Sequence, residues 1–213
     1  MKLELMDTTL RDGEQTSGVS FTPTEKLNIA RLLIEELKID RVEVASARVS
    51  EGEFEGVQRI VEWAEKKQLK NKIEVLGFVD GKNSIDWINR TGAQVMNLLC
   101  KGSLNHLNGQ LRKTPQQHID NIKQSIEYAN KLGIEVNVYL EDWSNGMINS
   151  RDYVFYFIDN LKDANINRFM LPDTLGILNP YQTHEFCRLI ADKYPNLHFD
   201  FHAHNDYGLA AAN

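Results

Sequence analysis

The chain is poor in cysteine: its 213 residues contain two, Cys100 and Cys187, far apart and without metal or redox spacing. They read as reduced and structural, in a cytoplasmic protein. No apolar run approaches the roughly 20 residues of a membrane span, so no membrane partner is expected. No Lys/Arg run occurs and the formal net charge is −6, which argues against wrapping nucleic acid. Any anionic ligand has to find a local basic spot. Met1-Lys2-Leu3-Glu4-Leu5 enters an apparent strand at once and leaves no room for a signal peptide. What is present is ordinary for a soluble globular domain, with 42% hydrophobic and 25% charged residues. The length suits one sizeable core and is short for two.

Strand and helix patterns alternate along the chain. Candidate strands are Leu3–Met6, Arg41–Ala45, Lys72–Phe78, Gln94–Leu99, Glu135–Glu141, Arg168–Leu171 and His198–His202. Between them lie helical patterns at Thr24–Lys38, Glu51–Gln68, Ser84–Thr91, Pro115–Leu132, Arg151–Ala164 and Pro180–Tyr194. Thr22-Pro23-Thr24-Glu25 and Thr114-Pro115 carry helix-start chemistry, and Gly133 follows Leu132 as a C-cap would. Leu27, Ala30, Leu33, Ile34 and Leu37 fall at helical spacing and predict an apolar stripe.

Repeated units of this kind imply a parallel sheet with right-handed crossovers. An open doubly wound sheet and a closed (β/α)8 barrel both satisfy that pattern. No Gly-x-Gly-x-x-Gly follows the first strand, which weakens the dinucleotide-binding open sheet. Polar candidates instead recur where strands end: Asp12, Ser46/Arg48, Lys101, Glu141, Asp173/Thr174 and His202/His204. Barrel sites are assembled from many strand ends on one face, whereas open sheets concentrate contacts at a switch point, so the barrel is the expected fold. Barrels typically need about 250 residues and eight strands. The seven strands here predict a barrel cut short, with the eighth strand beyond Asn213.

The most informative residues are Met6-Asp7-Thr8-Thr9-Leu10-Arg11-Asp12-Gly13-Glu14-Gln15 and His202-Ala203-His204-Asn205-Asp206. In a strand, residues i and i+2 face the same way, so His202 and His204 can converge on one ion. Asp12 is the natural third ligand, although Asp before Gly13 also suits a turn for backbone reasons. One carboxylate and two imidazoles suit Zn²⁺, Mn²⁺, Co²⁺ or Mg²⁺, and the residues do not choose among them. Asp7 and Glu14 read as a strand-end hydrogen-bond acceptor and a surface charge. Arg11 can hold a carboxylate or stabilise a developing oxyanion. Glu141 is either a general acid/base or half of a salt bridge with a neighbouring strand end. Thr174 is a helix cap or a ligand hydroxyl. His106, His118, His184 and His198 read as surface or core.

These motifs resemble the metal-dependent Claisen-condensing barrels, the isopropylmalate, homocitrate and citramalate synthases. The resemblance runs in register over the whole chain, with Glu141 after the fifth strand and Leu-Pro-Asp-Thr at Leu171–Thr174. Arg41–Ser50 and Tyr139–Gly146 look most like the bacterial (R)-citramalate synthase branch. It implies that acetyl-CoA condenses with a small 2-oxo acid and that the thioester is hydrolysed to release CoA. Asp12, His202 and His204 would bind the divalent ion, and Arg11 and Thr174, with Asp12 beside them, would meet the oxo acid. Glu141 would be the acid/base catalyst, and Gln15 would lie near acetyl-CoA. In the citramalate branch Leu76, Leu99 and Tyr139 would wall a pocket sized for pyruvate, leading to (R)-citramalate for isoleucine biosynthesis; as strand residues they could equally be core.

Ala203 stands where relatives often carry Gly. The family's Asn ligand on strand eight, a catalytic His and a C-terminal regulatory domain would all lie beyond Asn213. Residues 1–213 are therefore expected to be an incomplete N-terminal catalytic domain, weakly active or inactive but retaining metal affinity. Its open strand edges are expected to self-associate, and the full-length protein to be a homodimer. Rival readings are 2-isopropylmalate synthase acting on 2-oxoisovalerate for leucine biosynthesis, a lyase of the same barrel group, and a metal-binding fragment without turnover.

Overall fold

Residues 3–213 are described by a computed structural model. Seven strands follow in hydrogen-bonded order: β1 (Met6–Asp7), β2 (Arg41–Ser46), β3 (Ile73–Phe78), β4 (Val95–Lys101), β5 (Glu135–Glu141), β6 (Phe169–Asp173) and β7 (Phe199–Ala203). The helices are α1 (Pro23–Arg31), α2 (Glu51–Lys66), α3 (Asn83–Thr91), α4 (Leu104–His106), α5 (Pro115–Lys131), α6 (Trp143–Asn149), α7 (Arg151–Leu161) and α8 (Pro180–Lys193). Sequential strand order with intervening helices is the (β/α)8-barrel architecture, carried here through seven strands. The chain divides into two compact units. One comprises the residues up to Asn97 with Tyr128–Glu135, the other Leu98–Glu127 with Val136–Asn213.

In the first unit β1 pairs parallel with β2, and β2 with β3. Val42, Val44, Ile73 and Val75 are fully buried, as are Val57, Ile60, Ile85 and Ile88 from the helices. Strands covered on both faces read as near-continuous buried runs, and β2 and β3 do. Glu43 and Glu74 are register partners across β2 and β3, so both carboxylates occupy one face. The expected first strand, Leu3–Met6, shifts to Met6–Asp7. Leu5 donates its N–H to the Asp40 carboxylate at 2.9 Å, and its carbonyl accepts the N–H groups of Asp40 and Arg41. Those bonds tie it to the turn before β2 and leave the Leu3 and Leu5 side chains exposed.

Helix α1 starts where its capping chemistry predicts: Thr22 and Glu25 form a reciprocal capping box with Pro23 at the first turn. Its expected stripe is partly corrected. Ala30, Leu33 and Ile34 are buried, but Leu37 is exposed. A π-helical turn over Leu32–Glu36 adds a residue to the repeat and rotates Leu37 away from the buried side.

In the second unit β5 pairs parallel with β6, and β6 with β7. Trp143 is fully buried and meets Phe186 and Phe201 edge-on at 6.3 and 6.4 Å. Helix α8 starts on a second capping box, Asn179 with Gln182. Two short helices absent from the sequence expectation, α4 and α6, follow β4 and β5 directly. They occupy the strand exits where the polar candidates lie.

Candidate active site

The loop after β1 is wound tightly. The Asp7 carboxylate accepts the N–H and hydroxyl of Thr9 at 2.9 and 3.2 Å, the strand-end acceptor role expected for it. The Thr8 carbonyl then accepts the N–H groups of Arg11, Asp12 and Gly13 at 3.1, 2.8 and 3.1 Å. Arg11 donates through Nε to Glu43 Oε2 at 2.5 Å and through Nη1 to Asp12 Oδ1 at 2.8 Å. Its guanidinium is therefore braced on two carboxylates, one bond to each, which its rigid planar fork of donors allows.

Glu43 is fully buried and also accepts from Asn97 Nδ2 at 2.7 Å. Beside it, Arg41 Nη1 donates to Glu74 Oε1 at 3.0 Å. Burial pushes the Glu74 carboxyl above its ordinary value, against the pull of Arg41. Glu43 was absent from the expected site residues; a carboxylate inside the apolar run Val42-Glu43-Val44 is the signal that marks it. Glu14, expected as a surface charge, is instead ion-paired with the buried Lys26 at 2.6 Å. Gln15 is exposed and shares a cavity of about 410 Å³ with Arg11, Ser46 and Ser50. Leu76 is buried on β3.

In the second unit Lys101, ending β4, is ion-paired with Glu141, ending β5. The salt-bridge reading of Glu141 is thus realised. Gly102 donates its N–H to the Glu141 carbonyl at 2.7 Å, which fixes the two strand ends together. The next residue, Asp142, is fully buried at a positive φ of 65°. Its carboxylate accepts from Ser103 Oγ at 2.6 Å and Asn145 Nδ2 at 2.8 Å. Thr174 accepts the Asp142 N–H at 2.8 Å. It is a brace for the end of β5, with its own hydroxyl proton left to donate.

His106, read from the sequence as surface or core, lies between two acids. Its Nδ1 is 3.9 Å from Glu141 Oε1 and its Nε2 is 3.6 Å from Asp142 Oδ2. His118 is core: its Nε2 accepts the Lys101 N–H at 3.0 Å. Burial, then the charges of Lys113 and Lys101, lower its pKa to about 4, so it is neutral near pH 7. Leu99 is half-buried and Tyr139 is buried.

The β6–β7 ladder presents the histidines. Pro172 is in register with His202 and Asp173 with Ala203, and His204 donates its N–H to the Asp173 carbonyl at 3.4 Å. The His202 and His204 rings lie side by side, 5.0 Å between centroids, on one face of the strand as the i, i+2 spacing predicts. Tyr139 meets His202 edge-on at 6.0 Å. The buried Asp173 carboxylate accepts the N–H groups of Ile177 and Leu178 at 3.1 and 2.9 Å and shapes the turn after β6. That turn requires Gly176, another residue sequence reasoning missed. Its φ is +56°, and a Cβ there would lie 2.7 Å from Asp206 N and 2.8 Å from the His204 carbonyl.

Asp12, His202 and His204 are each half-buried and each offers one ligand atom, a carboxylate oxygen or an imidazole nitrogen. The donor chemistry fits a divalent ion of the Zn²⁺, Mn²⁺, Co²⁺ or Mg²⁺ type.

A parallel barrel with its chemistry at the strand ends is the class these features define. A family model described as HMGL-like matches residues 2–213, and the chain belongs to that family. It is 32% identical over 213 residues to a 2-isopropylmalate synthase of Sulfurisphaera tokodaii, covering all of this chain and 53% of that protein. It is 33% identical over 213 residues to an (R)-citramalate synthase of Methanocaldococcus jannaschii, covering all of this chain and 41% of that protein. The chain thus spans about half the length of the curated relatives it matches. Among solved structures it resembles a hydroxymethylglutaryl-CoA lyase from Pseudomonas aeruginosa, with TM-score 0.75 and 16% identity, over 99% of this chain and 71% of that one. At that identity the likeness shows the barrel fold alone. No helix among the described residues is long and apolar enough to cross a membrane.

Proposed function

We propose that residues 1–213 form the catalytic part of a longer, homodimeric cytoplasmic acyltransferase that condenses acetyl-CoA with pyruvate, giving (R)-citramalate and free CoA. The observation that carries this reading is the paired imidazoles of His202 and His204 at the end of β7, with the Tyr139 ring against His202. Asp12 would join the two histidines as ligands. A divalent ion held there would act as a Lewis acid on the keto group of the oxo acid.

The chain's own residues have distinct parts. Arg11, already braced on Glu43 and Asp12, presents a fixed cation to the oxo-acid carboxylate and to the alkoxide that forms on the keto oxygen. Glu141 takes a proton from the acetyl methyl group, and the resulting carbon nucleophile attacks the keto carbon. Lys101 beside Glu141 keeps the carboxylate in place until substrate arrives. Thr174 and Asp12 complete the oxo-acid contacts, and Gln15 lies on the cavity next to Arg11 that would receive part of acetyl-CoA. Water then hydrolyses the thioester and CoA leaves. Leu76, Leu99 and Tyr139 would leave room for a methyl group and little more. One methylene in such a pocket discriminates by about 1–3 kcal/mol.

The 32% identity to a 2-isopropylmalate synthase supports a second reading, in which 2-oxoisovalerate replaces pyruvate. CoA release by the full-length protein with each oxo acid decides between them. The citramalate reading expects pyruvate to be preferred by about tenfold or more. Preference for 2-oxoisovalerate would install the second reading, and cleavage of a hydroxyacyl-CoA without acetyl-CoA would reject both.

A further inference from the structure

A lysine on an amphipathic helix ordinarily extends its ammonium to water. Lys26 does the opposite: it is 1% exposed and points inward from α1. Its Nζ donates to the carbonyls of Leu10 at 3.0 Å and Val44 at 3.2 Å. It is also paired with Glu14 Oε2 at 2.6 Å and Glu53 Oε1 at 2.5 Å. One ammonium with three protons thus serves four acceptors on three separate pieces of chain: the β1–α1 loop, β2 and the first turn of α2. The other Glu14 oxygen accepts the Phe21 N–H at 2.8 Å, so the far end of the same loop is tied back as well. Burial raises the Glu53 carboxyl, Lys26 opposes that rise, and Glu14 adds to it.

The position of these contacts carries more than fold stability. Leu10 immediately precedes Arg11, and Glu14 follows Asp12 by two residues, so the ammonium grips both ends of Arg11-Asp12-Gly13. Val44 is the neighbour of Glu43, the carboxylate on which Arg11 rests. Lys26 therefore references the loop and the Glu43 strand to one atom. We propose that Lys26 is a positioning residue for the metal and oxo-acid site, setting the direction of Arg11 and Asp12 without touching ligand. The proposal rests on the reading that Asp12 is a metal ligand.

Lys26→Met alone strands two carboxylates and is at risk of not folding, so the test uses Lys26→Met with Glu53→Gln, which removes one charge of each sign. Zn²⁺ and Mn²⁺ binding is measured by calorimetry for the unmodified chain, the double variant and Asp12→Ala. Amide hydrogen exchange is followed at Arg11, Asp12 and Gly13 against α2 and β2. The expected result is a loss of about tenfold in metal affinity in the double variant, the size typical for residues that orient ligands, and a larger loss in Asp12→Ala, which removes a ligand. In the double variant, protection should fall at Arg11–Gly13 and stay unchanged in α2 and β2. Wild-type affinity and loop protection in the double variant, with weakened binding in Asp12→Ala, overturn the proposal. Protection lost throughout α2 and β2 overturns it too, making Lys26 a fold stabiliser. If Asp12→Ala binds like the unmodified chain, the ligand reading has failed instead, and exchange at Arg11–Gly13 alone decides whether Lys26 positions the loop.

Discussion

The hydroxyl of Thr174, at the end of β6, accepts the backbone N–H of Asp142, the residue after Glu141, at 2.8 Å. It holds a left-handed residue directly beside the proposed acid/base. Thr174→Val keeps the shape and removes the acceptor, leaving a partly buried N–H unsatisfied at about 1–3 kcal/mol. Thermal unfolding should show that loss. Turnover of the full-length protein should fall with it, and Thr174→Ser should restore both. Wild-type stability in the Val variant would show that the bond does not hold the turn.

Gly176 underlies the histidine loop. Ala there adds a Cβ 2.7 Å from Asp206 N in a left-handed conformation that itself costs about 1–2 kcal/mol. The Gly176→Ala chain should melt at lower temperature and bind Zn²⁺ more weakly, because the His204 carbonyl has to move. Unchanged melting and binding would mean that the loop yields without strain.

His118 predicts a pH dependence. Its folded pKa of about 4 lies below the ordinary 6.5, so the unfolded chain takes up the proton first. The stability from keeping it neutral is complete above about pH 6.5 and is lost as pH falls toward 4, on the order of 3 kcal/mol in total. Denaturant unfolding of the unmodified chain and His118→Gln between pH 7 and 4 should show a shallower decline in the variant. Parallel declines would remove His118 as a contributor.

Much of the scaffold was legible because its signals are local. Thr22-Pro23-Thr24-Glu25 became a capping box, and Thr114 with Gln117 made the same reciprocal bonds at α5. Gly133 took the positive φ expected of a C-cap. The His202/His204 geometry was legible for the same reason, since alternation along a strand is short-range. The unread parts depend on distant partners. Lys26 resembled any solvated helix residue until Leu10, Val44, Glu14 and Glu53 converged on it. Glu43 acquired its role from Arg11 and Asn97, neither of them near in sequence. Helices α4 and α6 are too short for an apolar repeat to show, and the π-helical turn that exposes Leu37 has no marker in the pattern.

The proposed pocket wall offers a specificity test. Tyr139 is buried with its ring edge on His202, and Tyr139→Ala removes the largest of the three bulky residues. In the full-length protein this should raise the ratio of 2-oxoisovalerate to pyruvate turnover by at least about 10–200-fold, the range set by a single methylene. An unchanged ratio would take Tyr139 off the pocket.

The cation site is tested most directly by calorimetry of the 213-residue chain with Zn²⁺ and Mn²⁺, alongside His202→Ala. The unmodified chain should bind one ion, and the variant should lose more than about tenfold in affinity, since an imidazole ligand is gone. Equal binding by the two proteins would contradict the metal site and, with it, the condensation chemistry proposed to depend on it.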